Sequence, residues 1–318
     1  MRSRTLSGHV ELPMLGFGTY LIRNPEAAPS VRSAIGLGYR HVDTAEVYRN
    51  EEGVGQGLRA ALADAGLRRE DVFVTTKLWP GHVGRGQPAK TRATTIASLD
   101  QSLVRLGLDS VDLYLIHSPF GGPHRVEQWA ALLELRSQGK ARAVGVSNFG
   151  VAHLAELEAA GLEAPAANQI ELHPWSQKPA LVAYLDSHGI VPIAYSSLVP
   201  LSSWRAAPLP AGGPGSRAPA PVQSSAKTEA MRADSARDDS LFKRLAAKHH
   251  VTEAQILLRW AVERGWPVLP KSTSPDRMRV NADLFSFSLD DDDRAVIAGE
   301  DRGQGIAWGG VDPVATAV

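Results

Sequence analysis

Along this chain, short apolar runs alternate with longer stretches in which apolar residues recur every three or four positions. The short runs fall at 15–18, 40–43, 72–76, 111–116, 143–147, 167–170, 190–194 and 267–270, eight strand candidates in all. Between them, sets such as Ile96, Leu99, Leu103 and Leu106, or Val54, Leu58, Ala61 and Leu62, each share one face of a helix. Strand followed by helix, repeated, builds parallel strands with crossover helices, and eight such units predict an α/β fold, the (β/α)8 TIM barrel. Ahead of the first strand, 6–12 carries Ser7-Gly8 between extended residues and predicts an N-terminal β-hairpin that plugs the barrel's N-terminal end. One stretch breaks the rhythm. Residues 199–239, directly after the seventh strand candidate, are rich in Pro, Ala, Gly and Ser, with Pro208, Pro210, Pro214, Pro219 and Pro221 among them. A connection that long predicts a mobile loop insertion at the barrel's C-terminal rim.

Composition narrows the picture without changing it. A length of 318 residues suits one barrel domain over 1–318, and 43% hydrophobic with 21% charged residues suits a globular core. Lysine plus arginine equals aspartate plus glutamate at 34 each, so no global field gathers nucleic acid or an anionic membrane. Neither class of partner is expected. Residues 1–10 are polar, and no later run approaches the roughly 20 apolar residues of a membrane span. We therefore expect a cytoplasmic protein, a monomer or weak oligomer, whose partner is a small molecule. With no cysteine, thiolate nucleophiles, disulfides and cysteine zinc sites are excluded.

Chemistry is then sought where barrels place it, at the C-terminal ends of the strands. The second strand ends at Asp43, with Tyr48 five residues on; the third ends at Lys77 and the fourth at His117. Ser147-Asn148, Asn168 and Gln169, Tyr195, and Lys271-Ser272 follow in order. A phenol, an ammonium, a carboxylate and an imidazole in one pocket make an acid catalyst for carbonyl reduction. The phenol's ordinary pKa of about 10 is high for proton exchange at neutral pH, and a neighbouring ammonium is expected to lower it. Asp43 would keep Lys77 charged and oriented, and His117 would bind the substrate oxygen or share the proton transfer. Such a site holds no nucleophile, and no metal is expected, so the reducing equivalents must come from a cofactor, a nicotinamide.

Each residue also has a plainer reading. Asp43 before Thr44-Ala45 suits a helix cap, Lys77 a charge leaving a strand, and His117 a satisfied buried histidine; their order at successive strand ends favours function. His173 before Pro174 reads as structural, and His249-His250 cannot face one metal from adjacent helix positions. Lys271, Ser272 and Arg277 suit either a solvated basic turn or a phosphate site, which recurs near the last strands of such barrels. Tyr20, Trp79, Phe120, Trp204 and Trp308 sit in loops leaving the rim and are candidates, with His117, to line an apolar substrate pocket.

These residues resemble the aldo-keto reductase superfamily over nearly the whole chain. The likeness is carried by His41-Val-Asp-Thr-Ala-Glu-Val-Tyr48-Arg-Asn-Glu51, Val111-Asp-Leu-Tyr-Leu-Ile-His117-Ser-Pro119 and Pro270-Lys-Ser-Thr-Ser-Pro-Asp-Arg277, with Gly145-Val-Ser-Asn148 and Asn168-Gln169 between. The resemblance implies a catalytic tetrad of Asp43, Tyr48, Lys77 and His117, with Tyr48 as proton donor. It implies that Ser147, Asn148 and Gln169 hold the nicotinamide carboxamide and that Tyr195 stacks on the nicotinamide ring. Gly18, Thr19 and Asp43 would line the same cofactor site. Lys271, Ser272 and Arg277 would bind the adenosine 2′-phosphate, and Asn281 would approach the adenine. Charge-assisted contacts of about 1.5 to 3 kcal/mol would favour NADPH over NADH by one to two powers of ten or more, leaving NADH the less favoured cofactor.

The chain departs from the family pattern at Ser118, where Trp is common, at Arg49, where Gly is frequent, and at Val280, often acidic or amide. The first two adjoin the site and bear on substrate; the third bears on the adenine contacts. The leading function is NADPH-linked reduction of an aldehyde or ketone to an alcohol. An enzyme working mainly as an alcohol dehydrogenase, and a cofactor-binding regulatory or structural barrel without turnover, are the competing readings.

Overall fold

In a computed structural model, the described residues are 2–201, 229, 233, 235–303, 305–308 and 312–317. Most of 199–239, and Trp204 with it, lies outside them. The chain opens with a two-stranded antiparallel hairpin, β1 (Ser3–Leu6) and β2 (Val10–Pro13), joined through a tight turn at Ser7–His9. Its apolar side chains, Leu6, Val10 and Leu12, pack against Phe73, Leu113, Ala143, Val191 and Ile193 from inside the barrel. The expected plug is present, with strands reaching beyond 6–12 at both ends.

Seven strands follow in one parallel sheet, in sequence order: β3 (Phe17–Gly18), β4 (His41–Asp43), β5 (Phe73–Leu78), β6 (Val111–Ile116), β7 (Ala141–Ser147), β8 (Ala167–Glu171) and β9 (Val191–Tyr195). The eighth candidate, 267–270, closes the barrel differently. Val268 bridges Leu15 on one side and Ala194 on the other. Gly16 N–H donates to Val268 O (2.8 Å), Val268 N–H to Met14 O (2.9 Å), Ala194 N–H to Pro267 O (2.8 Å) and Gly18 N–H to Pro270 O (3.1 Å). Pro267 and Pro270 have no N–H to give, so this segment mostly accepts and never forms a full ladder.

Ten helices are described in full: α1 (Asn24–Gly36), α2 (Glu51–Ala65), α3 (Arg92–Leu106), α4 (Arg125–Ser137), α5 (Val151–Ala159), α6 (Pro179–Ser187), α7 (Leu241–His249), α8 (Glu253–Glu263), α9 (Pro275–Ala282) and α10 (Asp291–Ala298). The predicted apolar faces are the buried ones: Leu99, Leu103 and Leu106 on α3, and Val54, Leu58 and Ala61 on α2. Helix α3 starts where the Thr91 hydroxyl accepts from Thr94 N–H and stops at Gly107, whose positive φ ends the helix. Gly53 and Gly57, one turn apart on α2, let α1 approach so closely that a Cβ on either would overlap its backbone. The barrel interior and the sheet–helix layer thus form two apolar cores, and polar strand ends are left for the mouth.

Candidate active site

The parallel register sets the C-terminal ends of the strands side by side: Gly18 opposite Asp43, Asp43 opposite Thr75, Lys77 opposite Leu115, and Ser147 opposite Gln169. Lys77 is fully buried and its Nζ donates to Asp43 Oδ1 (2.6 Å) and Thr44 O (2.9 Å). The second oxygen of Asp43 accepts from Gln169 Nε2 (2.8 Å), so this carboxylate ties strand β8 to β4. Burial pushes the Lys77 ammonium below its ordinary pKa, against the opposing pull of Asp43.

Tyr48 stands on a short 3-10 turn, Glu46–Tyr48, beyond β4. The chain reverses at Arg49, whose φ of 54° lies in the left-handed region, which explains why Gly suits this position. Asn50 locks the turn: its amide donates to Thr19 O and Ile22 O (2.9 Å each), and Thr44 Oγ1 donates to its carbonyl (2.9 Å). The Tyr48 ring therefore lies 5.2 Å from Lys77 Nζ and 5.5 Å, edge-on, from the His117 ring. One expectation is corrected here. The Tyr48 phenol is not lowered by Lys77; burial raises it well above its ordinary value, with Asp43 and Tyr20 acting in the same direction. The ammonium charge is taken up by Asp43, and a buried phenolate is costly.

His117 follows β6, its N–H donating to Leu78 O (2.9 Å). Burial first, then the Lys77 charge, hold its imidazole well below its ordinary pKa, so the ring is neutral. Its Nδ1 is buried without a hydrogen-bond partner. Around it stand the predicted aromatics. Trp79 and Trp308 lie nearly parallel (12°, centroids 6.5 Å apart), both edge-on to His117 at 5.9 and 6.0 Å, with Phe120 5.5 Å from Trp308. Tyr20 sits 5.2 Å from Tyr48, and His82, absent from the sequence-based set, stacks on Phe120 at 4.2 Å. Ser118 is fully buried and its hydroxyl has no partner.

Ser147 Oγ donates to Gln169 O (2.7 Å), and Asn148 Nδ2 donates to His117 O and Ser147 Oγ (3.0 Å each). Tyr195 Oη donates to Asn148 Oδ1 (2.6 Å) and accepts from Trp308 Nε1 (2.9 Å). Asn168 turns the other way, to Phe149, as the two-residue period of a strand requires. That same period puts Glu171 on the Gln169 face.

After the closing segment, Lys271, Ser272 and Arg277 gather at the start of α9, where Ser274 caps the helix. Arg277 Nε donates to Ser272 Oγ (3.4 Å), and burial followed by the Arg277 charge pulls Lys271 down. Among the described residues neither cation takes part in an ion pair. Two like charges beside a helix N-terminus are stable together when an anion joins them. Asn281 is buried farther along α9. No three His, Asp or Glu side chains among the described residues cluster as metal ligands, and no described helix is long and apolar enough to cross a membrane.

A buried carboxylate, ammonium, phenol and imidazole thus stand beside a cluster of aromatic rings at the C-terminal mouth of a parallel barrel. The chain belongs to the aldo/keto reductase family, a class of NADP(H)-linked oxidoreductases: the family's sequence profile matches residues 14–299. A methylglyoxal reductase of Escherichia coli is 36% identical over 303 residues, 95% of this chain and 93% of that protein. A glyoxal reductase of Bacillus subtilis is 37% identical over 289 residues, 91% of this chain and 88% of that protein. Among solved structures, an aldo-keto reductase of Bombyx mori in complex with NADP superposes with a TM-score of 0.79 at 32% identity, covering 99% of each chain.

Proposed function

We propose that this enzyme reduces a small aldehyde or ketone to its alcohol with NADPH, and that Tyr48 supplies the proton. The observation that carries the reading is the buried run Asp43–Lys77–Tyr48 beneath an aromatic cup beside a neutral His117. With the Tyr48 phenol held above its ordinary pKa, the proton is on the residue at neutral pH and available to a carbonyl oxygen. Lys77, kept in place by Asp43, stabilises the phenolate left behind. His117, neutral, donates one N–H to the same oxygen and cannot protonate it outright.

The residues fit a dinucleotide cofactor. NADPH, when bound, supplies the hydride. Ser147, Asn148 and Gln169 offer amide and hydroxyl groups for a carboxamide, and Tyr195 a ring face for the nicotinamide. Gly18 and Thr19 adjoin them, and the Lys271–Ser272–Arg277 cluster, whose like charges Glu26 offsets in part, suits a 2′-phosphate. The relatives' names, methylglyoxal and glyoxal reductase, favour a compact 2-oxoaldehyde as substrate.

The test is NADPH oxidation with a panel of aldehydes and ketones, comparing the native enzyme with Tyr48→Phe. We expect turnover on small 2-oxoaldehydes and a loss of roughly 10²- to 10⁴-fold in the variant. NADPH binding with no turnover on any substrate overturns the reading; equal use of NADH overturns the assignment of Lys271 and Arg277.

A further inference from the structure

Glu171 is the last residue of β8 and is almost wholly buried, yet it has no part in the proton path. Its Oε1 accepts from Ile306 N–H (2.9 Å) and faces His173 Nε2 (2.9 Å); its Oε2 accepts from Ala307 N–H (2.9 Å). Burial alone would favour the acid form, but the His173 hydrogen bond and charge and these two N–H groups outweigh it, so the group stays an anion. One residue earlier, Gly305 N–H donates to Asp312 Oδ2 (2.8 Å), a carboxylate paired with Lys178. A Cβ on Gly305 would fall inside the Glu171 carboxylate. Three successive backbone N–H groups of the C-terminal tail are therefore bound by two buried carboxylates.

The next residue is Trp308. Its indole N–H reaches Tyr195 Oη (2.9 Å), and its ring stands parallel to Trp79 and edge-on to His117 and Phe120. A tryptophan on a tail has many rotamers and a free backbone, and ordering both is costly. Here the backbone is fixed from beneath by an ion the reaction does not use, as supporting residues fix functional side chains elsewhere.

We infer that Glu171 is a positioning residue for substrate selection: by holding 305–307 it sets Trp308 against Trp79 across the pocket and confines the site to compact carbonyls. The inference rests on the reading of the Tyr48 pocket as the carbonyl site. Trp308 is then the residue that selects, and Glu171 acts through it. His173 keeps the carboxylate oriented.

The experiment compares kcat/KM for propanal and for 4-nitrobenzaldehyde, with saturating NADPH, in Glu171→Gln, Gly305→Ala, Trp308→Ala and the double variant Glu171→Gln/Trp308→Ala. Trp308→Ala should shift preference toward the bulky aldehyde by roughly tenfold. Glu171→Gln and Gly305→Ala should shift it the same way by a smaller factor, chiefly through KM, and Glu171→Gln should add nothing once Trp308 is gone. An equal loss of kcat on both aldehydes in Glu171→Gln, or an undiminished effect in the double variant, overturns the inference. Should Glu171→Gln fail to fold, Gly305→Ala decides, because it displaces the same tail with the charge intact; an unmoved ratio overturns the inference. If Trp308→Ala leaves the ratio unmoved and Tyr48→Phe retains turnover, the carbonyl-site reading fails too. A ratio moved by Trp308→Ala but by neither of the others sinks the positioning role alone.

Discussion

The two ends of the barrel each bury a carboxylate beside a cation, and they use it differently. At the N-terminal end, Asp112 accepts from Arg69, Arg142 and Val74 N–H, all at 2.8 Å. Both cations are guanidiniums, partly exposed and permanently charged. At the C-terminal end, Asp43 holds Lys77, wholly buried and pushed down in pKa, next to a phenol pushed up. Both pairs fix their strands, and they differ in burial: the guanidiniums reach solvent, whereas the Lys77 ammonium is sealed in beside a phenol whose proton burial retains.

The largest expected effects separate these roles directly. Tyr48→Phe should cost the roughly 10² to 10⁴ in kcat given above while leaving the urea midpoint in place. Asp112→Ala should destabilise by about 1 to 3 kcal/mol, chiefly because it leaves the buried Val74 N–H without its acceptor while the two arginines still reach water, yet leave kcat per folded molecule unchanged. A matched fall in both quantities in either variant would break the comparison.

Acid should act next, through two buried histidines. Burial, with a smaller push from Lys77, lowers His41 to about 3; burial and then Arg125 lower His153 to about 4; both start from 6.5. The unfolded chain binds these protons below 6.5 and the folded chain does not. Stability should therefore be full above 6.5 and fall as pH drops toward 4, at up to about 1.4 kcal/mol per unit for each ring. Urea titrations at pH 7.5 and 5.5 measure it, and His153→Asn should flatten the slope by one ring's share.

Smaller still, Lys271→Ala and Arg277→Ala should each raise KM for NADPH by roughly tenfold and leave KM for NADH unmoved. A parallel rise for both cofactors would return these residues to an ordinary basic turn. The least effect is expected of His117: its depressed pKa predicts no imidazole limb in kcat between pH 6 and 8, and a limb near the ordinary histidine value would mean that the ring carries the proton.

Strand period and strand-end polarity made most of this architecture legible in the amino-acid order. Seven of eight strand candidates form ladders, and Asp43, Tyr48, Lys77 and His117 lie together at the barrel mouth. What period cannot express is hydrogen-bond supply, and Pro267 and Pro270 turn the last strand into isolated bridges. Nor does it express dielectric: a lysine next to a tyrosine suggests a lowered phenol, whereas the balance of burial and ion pairing decides the opposite. Glu171 went unread because its partners, Ile306 and Ala307, lie far along the chain and bind through backbone N–H, which carries no side-chain signature.

The closing segment at 267–270 has a further consequence, for the chain before it is finished. Until those residues leave the ribosome, the edges at 14–18 and 191–195 stand open, and an open edge invites foreign strands. The partner that finally covers both is read from each side mainly as an acceptor, through Pro267, Val268 and Pro270. Such a segment adds poorly to a stranger's sheet. The barrel's last stitch is thus also a poor nucleus for aggregation during the interval when the cylinder is still an unrolled sheet.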